Sequence, residues 1–408
     1  MSSTTSDDMT TTMALPWRGT LRGWALRQIG RRLHCGTLTV ITPEHARAVY
    51  RGTTSGPEAT LVLHRWRTLR RLVLNGDVGF AEAYMDGDWS SPEPAALLEL
   101  AARNAAPLSP AIDGTPFARL LNRVLHGLHA NTLAGSRRNI RQHYDLGNAF
   151  YALWLDAGLS YSSALYSDPA MTLAQAQAAK HARVLALLDV APGDAVLEIG
   201  CGWGSMAELL AQHDCAVTGL TLSPAQLAYA RDRLAARGLS GRANLLLQDY
   251  RESSGSFDRV VSIEMLEAVG EAFWPRYFDI LRARLKPGGV AVLQVITIDD
   301  ARFEGYRRAP DFIQRYIFPG GMLPPPGALR RCIAEAGLAL QHVETFGDSY
   351  AQTLVAWRRR FLDAWPQIAA MGFPERFRRM WDYYLGYCEG GFRAGAIDVG
   401  LWRIARPA

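Results

Sequence analysis

From residue 137 onward, the apolar positions of the chain fall into short runs that alternate with helical stretches. The runs that resemble buried strands are AVLEI (195–199), AVTGLTL (216–222), ANLLLQD (243–249), FDRVVSIEM (257–265) and VAVLQVIT (290–297). The helical stretches between them cover residues 205–213, 224–238 and 271–285. Strands that alternate with helices favour a parallel sheet with right-handed crossovers. The pattern therefore predicts an α/β fold with a doubly wound, mostly parallel sheet.

A smaller mixed α/β domain is predicted ahead of this region. It contains two strand-like runs, GTLTVIT and ATLVLHRW, and a helical stretch over residues 68–85. The segments predicted next are a helix over 92–104, a linker over 107–116 and a helix over 117–135. After the last buried strand come an aromatic, Pro/Gly-rich insertion (299–337), strands near 339–345 and 352–357, and helices over 358–395.

These patterns divide the chain into four parts. Residues 1–14 are polar and are predicted to be a disordered tail, and residues 15–106 form the N-terminal domain. Residues 107–136 provide the linker and a helix, and residues 137–408 form the main domain with its insertion. His126 and His129 share one face of the linker helix, but no third ligand is apparent and no metal site is predicted.

Basic residues are concentrated toward the N-terminus. Residues 1–142 carry a net charge of +6, whereas the rest of the chain carries −1. Within residues 15–34, Trp17, Leu21 and Trp24 lie on one helical stripe, with the arginines largely elsewhere. Such a helix either lies on a membrane surface or packs on its own domain with its arginines in solvent. The first alternative makes residues 15–106 a lipid- or membrane-associated domain.

Composition narrows the protein class. The chain has 408 residues, 49% hydrophobic and 20% charged, which is typical of a globular protein of two or three domains. It has no apolar run near the ~18 residues that a membrane span needs, and its first residues do not resemble a signal peptide. Five scattered cysteines without a CxxC pair argue against a disulfide framework or zinc ribbon. We expect a cytoplasmic protein, peripherally associated with the inner face of the membrane.

The strongest local motif is VLEIGCGWG (196–204), in which a buried strand leads through glycines into a helix. Gly200 permits a tight turn, while Gly202 and Gly204 let the backbone approach a ligand closely. A structural turn or a dinucleotide site would also produce these glycines. A dinucleotide site, however, places an acidic residue at the end of the second strand. Here that strand ends in Thr221, Leu222 and Ser223, which favours S-adenosylmethionine over NAD.

A series of motifs resembles the cyclopropane-fatty-acyl-phospholipid synthase family, relatives of the mycolic acid methyltransferases. The matching blocks, in chain order, are AEAYMDGDW (81–89), QHYDLGN (142–148), LSYSSA (159–164), LEIGCGWGS (197–205), TLSPAQ (221–226), QDYR (248–251), SIEMLEAVG (262–270), YIFPGGMLP (316–324) and FGDSY (346–350). The resemblance begins near residue 35 and implies a Rossmann-like class I methyltransferase fold for the main domain. It also implies methyl transfer from S-adenosylmethionine to a cis double bond of an unsaturated phospholipid acyl chain in a bilayer.

In this family, the carbocation left by methyl transfer loses a proton to a bound bicarbonate ion, and a cyclopropane ring closes. The resemblance assigns Glu267, Tyr350 and the backbone of Ile296 to that ion. Ser163 and Gln294 stand where better-known members have Cys and His, and both can still hydrogen-bond an anion. This variant resembles the plant-type branch. Cys388 matches a cysteine once proposed as a nucleophile, although the chemistry needs no covalent intermediate and a buried cysteine is usually inert.

The resemblance also implies the cosubstrate contacts. Tyr161 and Ser162 are expected at the sulfonium end, and the ribose is expected opposite Thr221 to Gln226. The glycine loop comprises Val196, Glu198, Gly200, Cys201, Gly202, Trp203 and Gly204, and the adenine is flanked by Asp249 and Tyr250. A helical cover of His143, Tyr144 and Asp145 is expected over the cosubstrate. The insertion residues Tyr306, Phe312, Tyr316, Ile317 and Phe318 either line an acyl tunnel or belong to the core.

Alternatives to cyclopropanation remain at this stage. The same methyl transfer followed by a hydride shift would give a methyl- or methylene-branched chain. A non-catalytic lipid-binding module would not require Glu267, Tyr350 and the glycine loop to be intact. A nucleic-acid methyltransferase would need basic residues around the cosubstrate domain, whose net charge is instead slightly negative. We therefore expect a lipid-modifying enzyme, a homodimer that does not bind nucleic acid.

Overall fold

A computed structural model describes residues 21–112, 146–308 and 310–408. The chain forms two compact units, Met1–Thr115 and Pro116–Ala408, and each is built around one sheet. The N-terminal unit contains helices α1 (Leu21–Arg31), α2 (Arg67–Met85), α3 (Pro94–Arg103) and α4 (Ala105–Ile112). Its strands are β1 (Cys35–Ile41), β2 (Arg47–Arg51), β3 (Thr54–Leu63) and β4 (Trp89–Ser90), in the order β2-β1-β3-β4. The two predicted strands and two predicted helices correspond to β1, β3, α2 and α3.

Helix α1 packs on its own unit through one narrow face. Leu26 is buried, and Gly30 lies so close to the Tyr50 ring that a β-carbon there would collide with it. The opposite face is exposed, because Trp24 is 56% exposed and Arg31, seven residues later on the same face, is also exposed. The structure therefore shows the second alternative, a helix that packs on its own unit, and it leaves one face of tryptophan and arginine exposed.

Helix α4 differs from the sequence prediction, which placed a linker from residue 107. The amide of Leu108 donates to the carbonyl of Asn104, so the chain stays helical beyond α3. Pro107 is tolerated because it lies in the first turn, where a backbone N–H has no helical acceptor. The predicted helix over 117–135, with His126 and His129, lies outside the described residues.

The larger unit contains a seven-stranded sheet in the order β10-β11-β9-β8-β5-β6-β7. Its strands are β5 (Ala195–Ile199), β6 (Ala216–Thr221), β7 (Ala243–Leu247), β8 (Phe257–Ile263), β9 (Leu285–Ile298), β10 (Ala339–Thr345) and β11 (Ile397–Ala405). Its helices are α5 (Asn148–Ala152), α6 (Leu173–Leu188), α7 (Ser205–Gln212), α8 (Pro224–Ala236), α9 (Trp274–Arg284), α10 (Asp300–Arg308), α11 (Pro326–Glu335), α12 (Gly347–Asp363), α13 (Trp365–Ala370) and α14 (Glu375–Arg393).

The sheet is mostly parallel, as the sequence predicted. Strands β7, β6, β5, β8 and β9 pair in parallel, while β11 pairs antiparallel with both β9 and β10. Apolar residues of α9 and α11 pack on one face, and those of α6, α7 and α8 pack on the other. The strand order reverses between β5 and β8, which is where doubly wound sheets bind ligands at the carboxyl ends of their strands.

Two C-terminal features differ from the prediction. Residues 352–357, predicted to be a strand, lie inside α12, where Tyr350, Leu354, Trp357 and Phe361 are buried on one helical face. A short apolar run of this kind does not by itself distinguish a buried strand from a helix. The sheet position is taken instead by β11, which the sequence analysis did not predict. Among the described residues, no helix is both long and apolar enough to cross a membrane.

Candidate active site

The glycine loop follows β5 at the strand-order reversal, as the sequence predicted. Gly200, Gly202 and Gly204 all have positive φ, at 86°, 50° and 84°, so each uses the freedom that glycine provides. A β-carbon on Gly202 would meet no atom of the described residues within 4 Å, whereas one on Gly204 would press against Ala230 at 2.9 Å. Gly204 is therefore required for packing against α8, and Gly202 leaves room for a ligand against the backbone.

The other residues of this motif support the loop. Val196 and Cys201 are buried in the core, so only their backbone can face a ligand. Trp203 donates through Nε1 to Asn148 Oδ1 at 2.8 Å, and Asn148 Nδ2 donates to the Ala225 carbonyl at 3.2 Å. Asn148 thus joins the glycine loop to the first turn of α8, a role the sequence analysis did not assign.

The ends of β6 and β7 provide the residues expected around ribose and adenine. Thr221 Oγ1 donates to Gln226 Oε1 at 3.0 Å, which directs the Gln226 amide nitrogen to serve as a donor elsewhere. The Ser223 hydroxyl caps α8 by accepting a hydrogen bond from the backbone amide of Gln226. Leu222 between them is half-buried.

The expected adenine acceptor is held in place by a neighbouring arginine. The Asp249 carboxylate accepts from Arg251 Nε at 2.8 Å and Nη2 at 2.7 Å, and both side chains are buried. Tyr250 packs edge-on against Tyr277 with ring centroids 5.3 Å apart. A bidentate pair fixes the carboxylate rigidly while leaving it partial acceptor capacity.

A carboxylate that the sequence analysis overlooked, Glu264, lies at the centre of the site just after β8. Its Oε1 accepts from the Ser163 amide at 2.8 Å and from Gln294 Nε2 at 2.7 Å. Its Oε2 accepts from the Tyr350 hydroxyl at 2.7 Å. Ser163, Gln294 and Tyr350, three of the five residues that the sequence assigned to an anion site, are therefore brought together, and they converge on a carboxyl side chain of this protein.

Glu267, three residues later, lies in a short 3₁₀ turn (Leu266–Ala268). Its Oε1 accepts from the Ile296 amide at 2.5 Å, and its Oε2 is buried without a hydrogen-bond partner among the described residues. Burial, together with the nearby charge of Glu264, raises the pKa of Glu267 to about 8. Its carboxyl group is therefore mostly protonated at neutral pH, and its orphan oxygen can donate a hydrogen bond.

Glu264 is also desolvated, and burial raises its pKa above the ordinary value. The three hydrogen bonds and the charge of Lys180 oppose that rise. Three hydrogen-bond donors and the nearby Lys180 favour the charged form of Glu264, whereas Glu267 accepts from the Ile296 amide and lies near the charge of Glu264.

Lys180 is a fully buried ammonium group on α6 that donates to Ser162 Oγ at 2.8 Å. Burial lowers the pKa of Lys180 to about 8, against the attraction of Glu264, Asp156 and Glu198. Burial likewise raises the pKa of Glu198 to about 8, and within the part of the chain that the structure describes its Oε2 has no hydrogen-bond partner. The Ser162 hydroxyl expected at the sulfonium end is thus already engaged by Lys180.

Aromatic side chains border the polar network. The Tyr161 ring lies 5.3 Å from Trp357 and 5.5 Å from both Tyr151 and Trp154, measured between centroids. The Tyr161 hydroxyl is 2.8 Å from that of Tyr384 on α14. Aromatic faces attract cations and keep water out.

The insertion packs on α14 as well. Phe312 and Ile317 are fully buried, and Phe312 lies 4.8 Å from Tyr383 between centroids. Phe318 lies 6.3 Å from Tyr384, beside the aromatic border of the site. The buried members fit core packing, whereas Phe318 lies beside the site, and an acyl tunnel along the insertion stays a prediction.

The remaining predicted residues have different outcomes. Tyr306 is partly buried against the core, and Tyr316 packs 5.5 Å from Phe312. Burial raises the pKa of the Cys388 thiol well above its ordinary value, so Cys388 stays neutral and is a poor nucleophile. The expected cover of His143, Tyr144 and Asp145 lies outside the described residues.

Some signals for the overlooked residues exist in the sequence. SIEMLEAVG contains two glutamates three residues apart, of which only the second was assigned. Lys180 is one of only two lysines in a chain with 44 basic residues, so a lysine on this largely apolar helix face is unusual.

Comparisons with known proteins identify the family to which the chain belongs. The family model described as mycolic acid cyclopropane synthetase matches residues 132–402. The tuberculostearic acid methyltransferase of Mycobacterium tuberculosis is 39% identical over 379 residues, which cover 87% of this chain and 86% of that protein. The cyclopropane-fatty-acyl-phospholipid synthase of Escherichia coli is 36% identical over 344 residues, which cover 82% of this chain and 84% of that protein. A crystal structure of a mycolic acid cyclopropane synthase with SAH and CTAB is 30% identical, has a TM-score of 0.62, and covers 66% of this chain and 98% of its own.

Proposed function

We propose a function from one premise: the chain belongs to the mycolic acid cyclopropane synthetase family and is an S-adenosylmethionine-dependent methyltransferase. The proposed reaction adds a methyl group to the cis double bond of an unsaturated phospholipid acyl chain and then removes a proton to give a cyclopropane ring. The carrying observation is the buried carboxyl pair Glu264 and Glu267 immediately beside the glycine loop.

The geometry supports this assignment in two places. Open space at the Gly202 β-carbon position fits close approach of S-adenosylmethionine to the loop backbone. A β-carbon on Gly200 would lie 3.2 Å from Met265 Cγ, so the loop touches the segment that carries both glutamates. The transferred methyl group and the proton-accepting carboxyl group can therefore act within one small site.

The reaction makes specific demands on this chain. The alkene donates its π electrons to the methyl carbon while the C–S bond breaks, leaving a carbocation on the acyl chain. An alkene is a weak nucleophile, so the site must position it precisely. Rings such as those of Tyr161 and Trp357 exclude the water that would capture the cation and stabilise its charge.

One relative supports a second possible product of the reaction. The tuberculostearic acid methyltransferase, at 39% identity, is named for a methyl-branched fatty acid. A hydride shift before proton loss would give a methylene-branched chain instead of a ring. In both outcomes the proton leaves from the transferred methyl group, so the same carboxyl group serves both.

Substrate access and membrane docking complete the proposal. The acyl chain enters along aromatic side chains near Phe318 and Tyr384, and the protein docks on the inner membrane face as a peripheral homodimer. The exposed face of α1, with Trp24 and Arg31, supplies an amphipathic surface for anionic lipid.

The test is turnover on lipid vesicles. Purified protein is incubated with S-adenosylmethionine and vesicles whose phospholipids carry either one cis double bond or fully saturated chains. We expect S-adenosylhomocysteine to form only with the unsaturated vesicles and the acyl mass to rise by one CH₂. Mild hydrogenation then separates the two products, because a methylene group takes up hydrogen and a ring largely does not. Equal turnover without a double bond would refute the proposal.

A further inference from the structure

The hydrogen-bond donors assigned to a bicarbonate ion are already in use. The Ser163 amide, Gln294 Nε2 and the Tyr350 hydroxyl all donate to Glu264, and the Ile296 amide donates to Glu267. A carboxylate presents the same planar pair of oxygens as bicarbonate and satisfies the same donors. A separate bicarbonate ion therefore does not fit this set of residues.

The Gln294 side chain is oriented toward acceptors, as a carboxylate in this position requires. Its Nε2 faces two acceptors, Glu264 Oε1 at 2.7 Å and the Ser163 carbonyl at 3.3 Å. The opposite amide orientation would place an oxygen against both acceptors, so this donor orientation is the one the network requires.

The backbone also holds Glu264 at some cost. Its φ is 49°, a left-handed backbone conformation that residues other than glycine rarely adopt. Donors from three separate segments, around residues 163, 294 and 350, fix the side chain that this conformation directs into the site. Strain of this kind persists where the surrounding structure over-determines it, often at functional sites.

We infer that Glu264 is the general base of the reaction and replaces the bicarbonate ion used elsewhere in the family. This inference rests on the proposed methyl transfer and names its proton acceptor. After transfer, a Glu264 oxygen takes a proton from the new methyl group, and the released C–H electron pair closes the ring or forms the double bond. The resulting carboxylic acid then returns its proton to water.

Lys180 and Glu267 act as positioning residues for this base. The buried ammonium of Lys180 attracts the Glu264 charge and favours its ionised form. A protonated Glu267 beside it adds no competing negative charge. The desolvated carboxylate that remains is more basic than one in water, which suits proton removal.

The experiment compares turnover in buffer stripped of carbon dioxide with turnover in the same buffer plus bicarbonate. We expect the unaltered enzyme to turn over equally in both, within about twofold. Glu264→Gln keeps the shape but loses the charge, and we expect turnover to fall at least about a hundredfold with S-adenosylhomocysteine affinity unchanged. Bicarbonate should not restore it, because the amide still fills the anion position.

Glu264→Gly is the complementary variant. Glycine accepts the left-handed backbone without strain, so this variant should fold, and it vacates the anion position. We expect added bicarbonate, formate or acetate to restore part of its turnover. Asp189→Gly is the matched control, because Asp189 is an exposed residue with φ of 53° at the end of α6. It should behave like the unaltered enzyme.

Each outcome bears on the inference separately from the proposed function. Loss of turnover on bicarbonate removal from the unaltered enzyme would overturn it, as would near-normal formation of the ring or methylene product by Glu264→Gln. Should Glu264→Gln fail to bind S-adenosylhomocysteine, the bicarbonate dependence of the unaltered enzyme decides alone. If the unaltered enzyme transfers no methyl group to unsaturated lipid under any condition, the proposed function itself fails. A methyl-hydroxy product from Glu264→Gln would support the inference, since it shows a cation that forms but is not deprotonated.

Discussion

Replacing Gly202 with valine tests the placement of S-adenosylmethionine on the glycine loop. Gly202 has φ of 50°, and a β-carbon there would meet no atom within 4 Å. The new side chain would therefore disturb the fold only through its backbone strain, about 1–2 kcal/mol for a residue in the left-handed region. Its methyl groups would instead occupy the space that the bound cosubstrate needs.

The expected loss of affinity follows from that overlap. Forcing extra methyl groups into a filled site costs about 1–3 kcal/mol. Since about 1.4 kcal/mol corresponds to a factor of ten, Kd for S-adenosylhomocysteine should rise by about five- to a hundredfold. Titration calorimetry measures this change directly, and thermal unfolding measures the backbone cost separately.

Gly238 provides the matched control. It follows α8 with φ of 69°, and a β-carbon there would also meet no atom within 4 Å. Gly238→Val should lower stability by a similar amount and leave the affinity unchanged. The reasoning is refuted if Gly202→Val binds S-adenosylhomocysteine within about twofold of the unaltered protein.

Three further predictions follow from the structure. Tyr350→Phe removes a hydrogen bond to the charged Glu264, worth about 1.5–3 kcal/mol, and should slow turnover by about ten- to a hundredfold without changing cosubstrate affinity. Glu267→Gln should melt higher than the unaltered protein at pH 8 and approach it near pH 5. The folded pKa of Glu267 is raised to about 8, so the carboxyl group costs stability progressively as pH rises from its ordinary pKa to that value. Replacing Arg22 and Arg31 with Gln should weaken binding to anionic vesicles by about thirtyfold at low salt, at about 1 kcal/mol per arginine.

Each of these has its own control. Tyr50→Phe, in the N-terminal unit, should leave turnover unchanged, and a similar loss there would point to general destabilisation. Equal melting temperatures of Glu267→Gln and the unaltered protein at pH 8 would contradict a raised pKa. Arg331→Gln, exposed on α11, should not affect vesicle binding. Unchanged vesicle binding by the variant at Arg22 and Arg31 would show that α1 is not the docking surface.

Much of the fold could be predicted from local pattern alone. The five buried strands and the glycine loop are continuous in sequence, so apolar runs and turn residues mark them directly. Residues 352–357 were misassigned because a buried helix face and a buried strand both appear as a short apolar run. Strand β11 was missed because it follows a helix and pairs antiparallel, outside the alternation that predicted the rest.

The site shows a different limit. Family motifs identified Glu267, Tyr350 and Gln294, but not the group on which two of them converge. The hydrogen bonds of Glu264 come from residues 30, 86 and 101 positions away in the chain, and only the folded sheet brings them together. The sequence alone likewise did not identify Lys180 as a charge partner of Glu264, because only the folded position of α6 brings the two residues close.

The central claim is that a methyl group moves to an acyl double bond and then loses one of its own hydrogens to the enzyme. The most direct measurement uses S-adenosylmethionine with a fully deuterated methyl group and vesicles of a monounsaturated phospholipid. Mass spectrometry of the released fatty acids counts the deuterium atoms in the product. The account predicts that two of the three deuterium atoms remain. Retention of all three, or an acyl chain without deuterium despite S-adenosylhomocysteine formation, would contradict it.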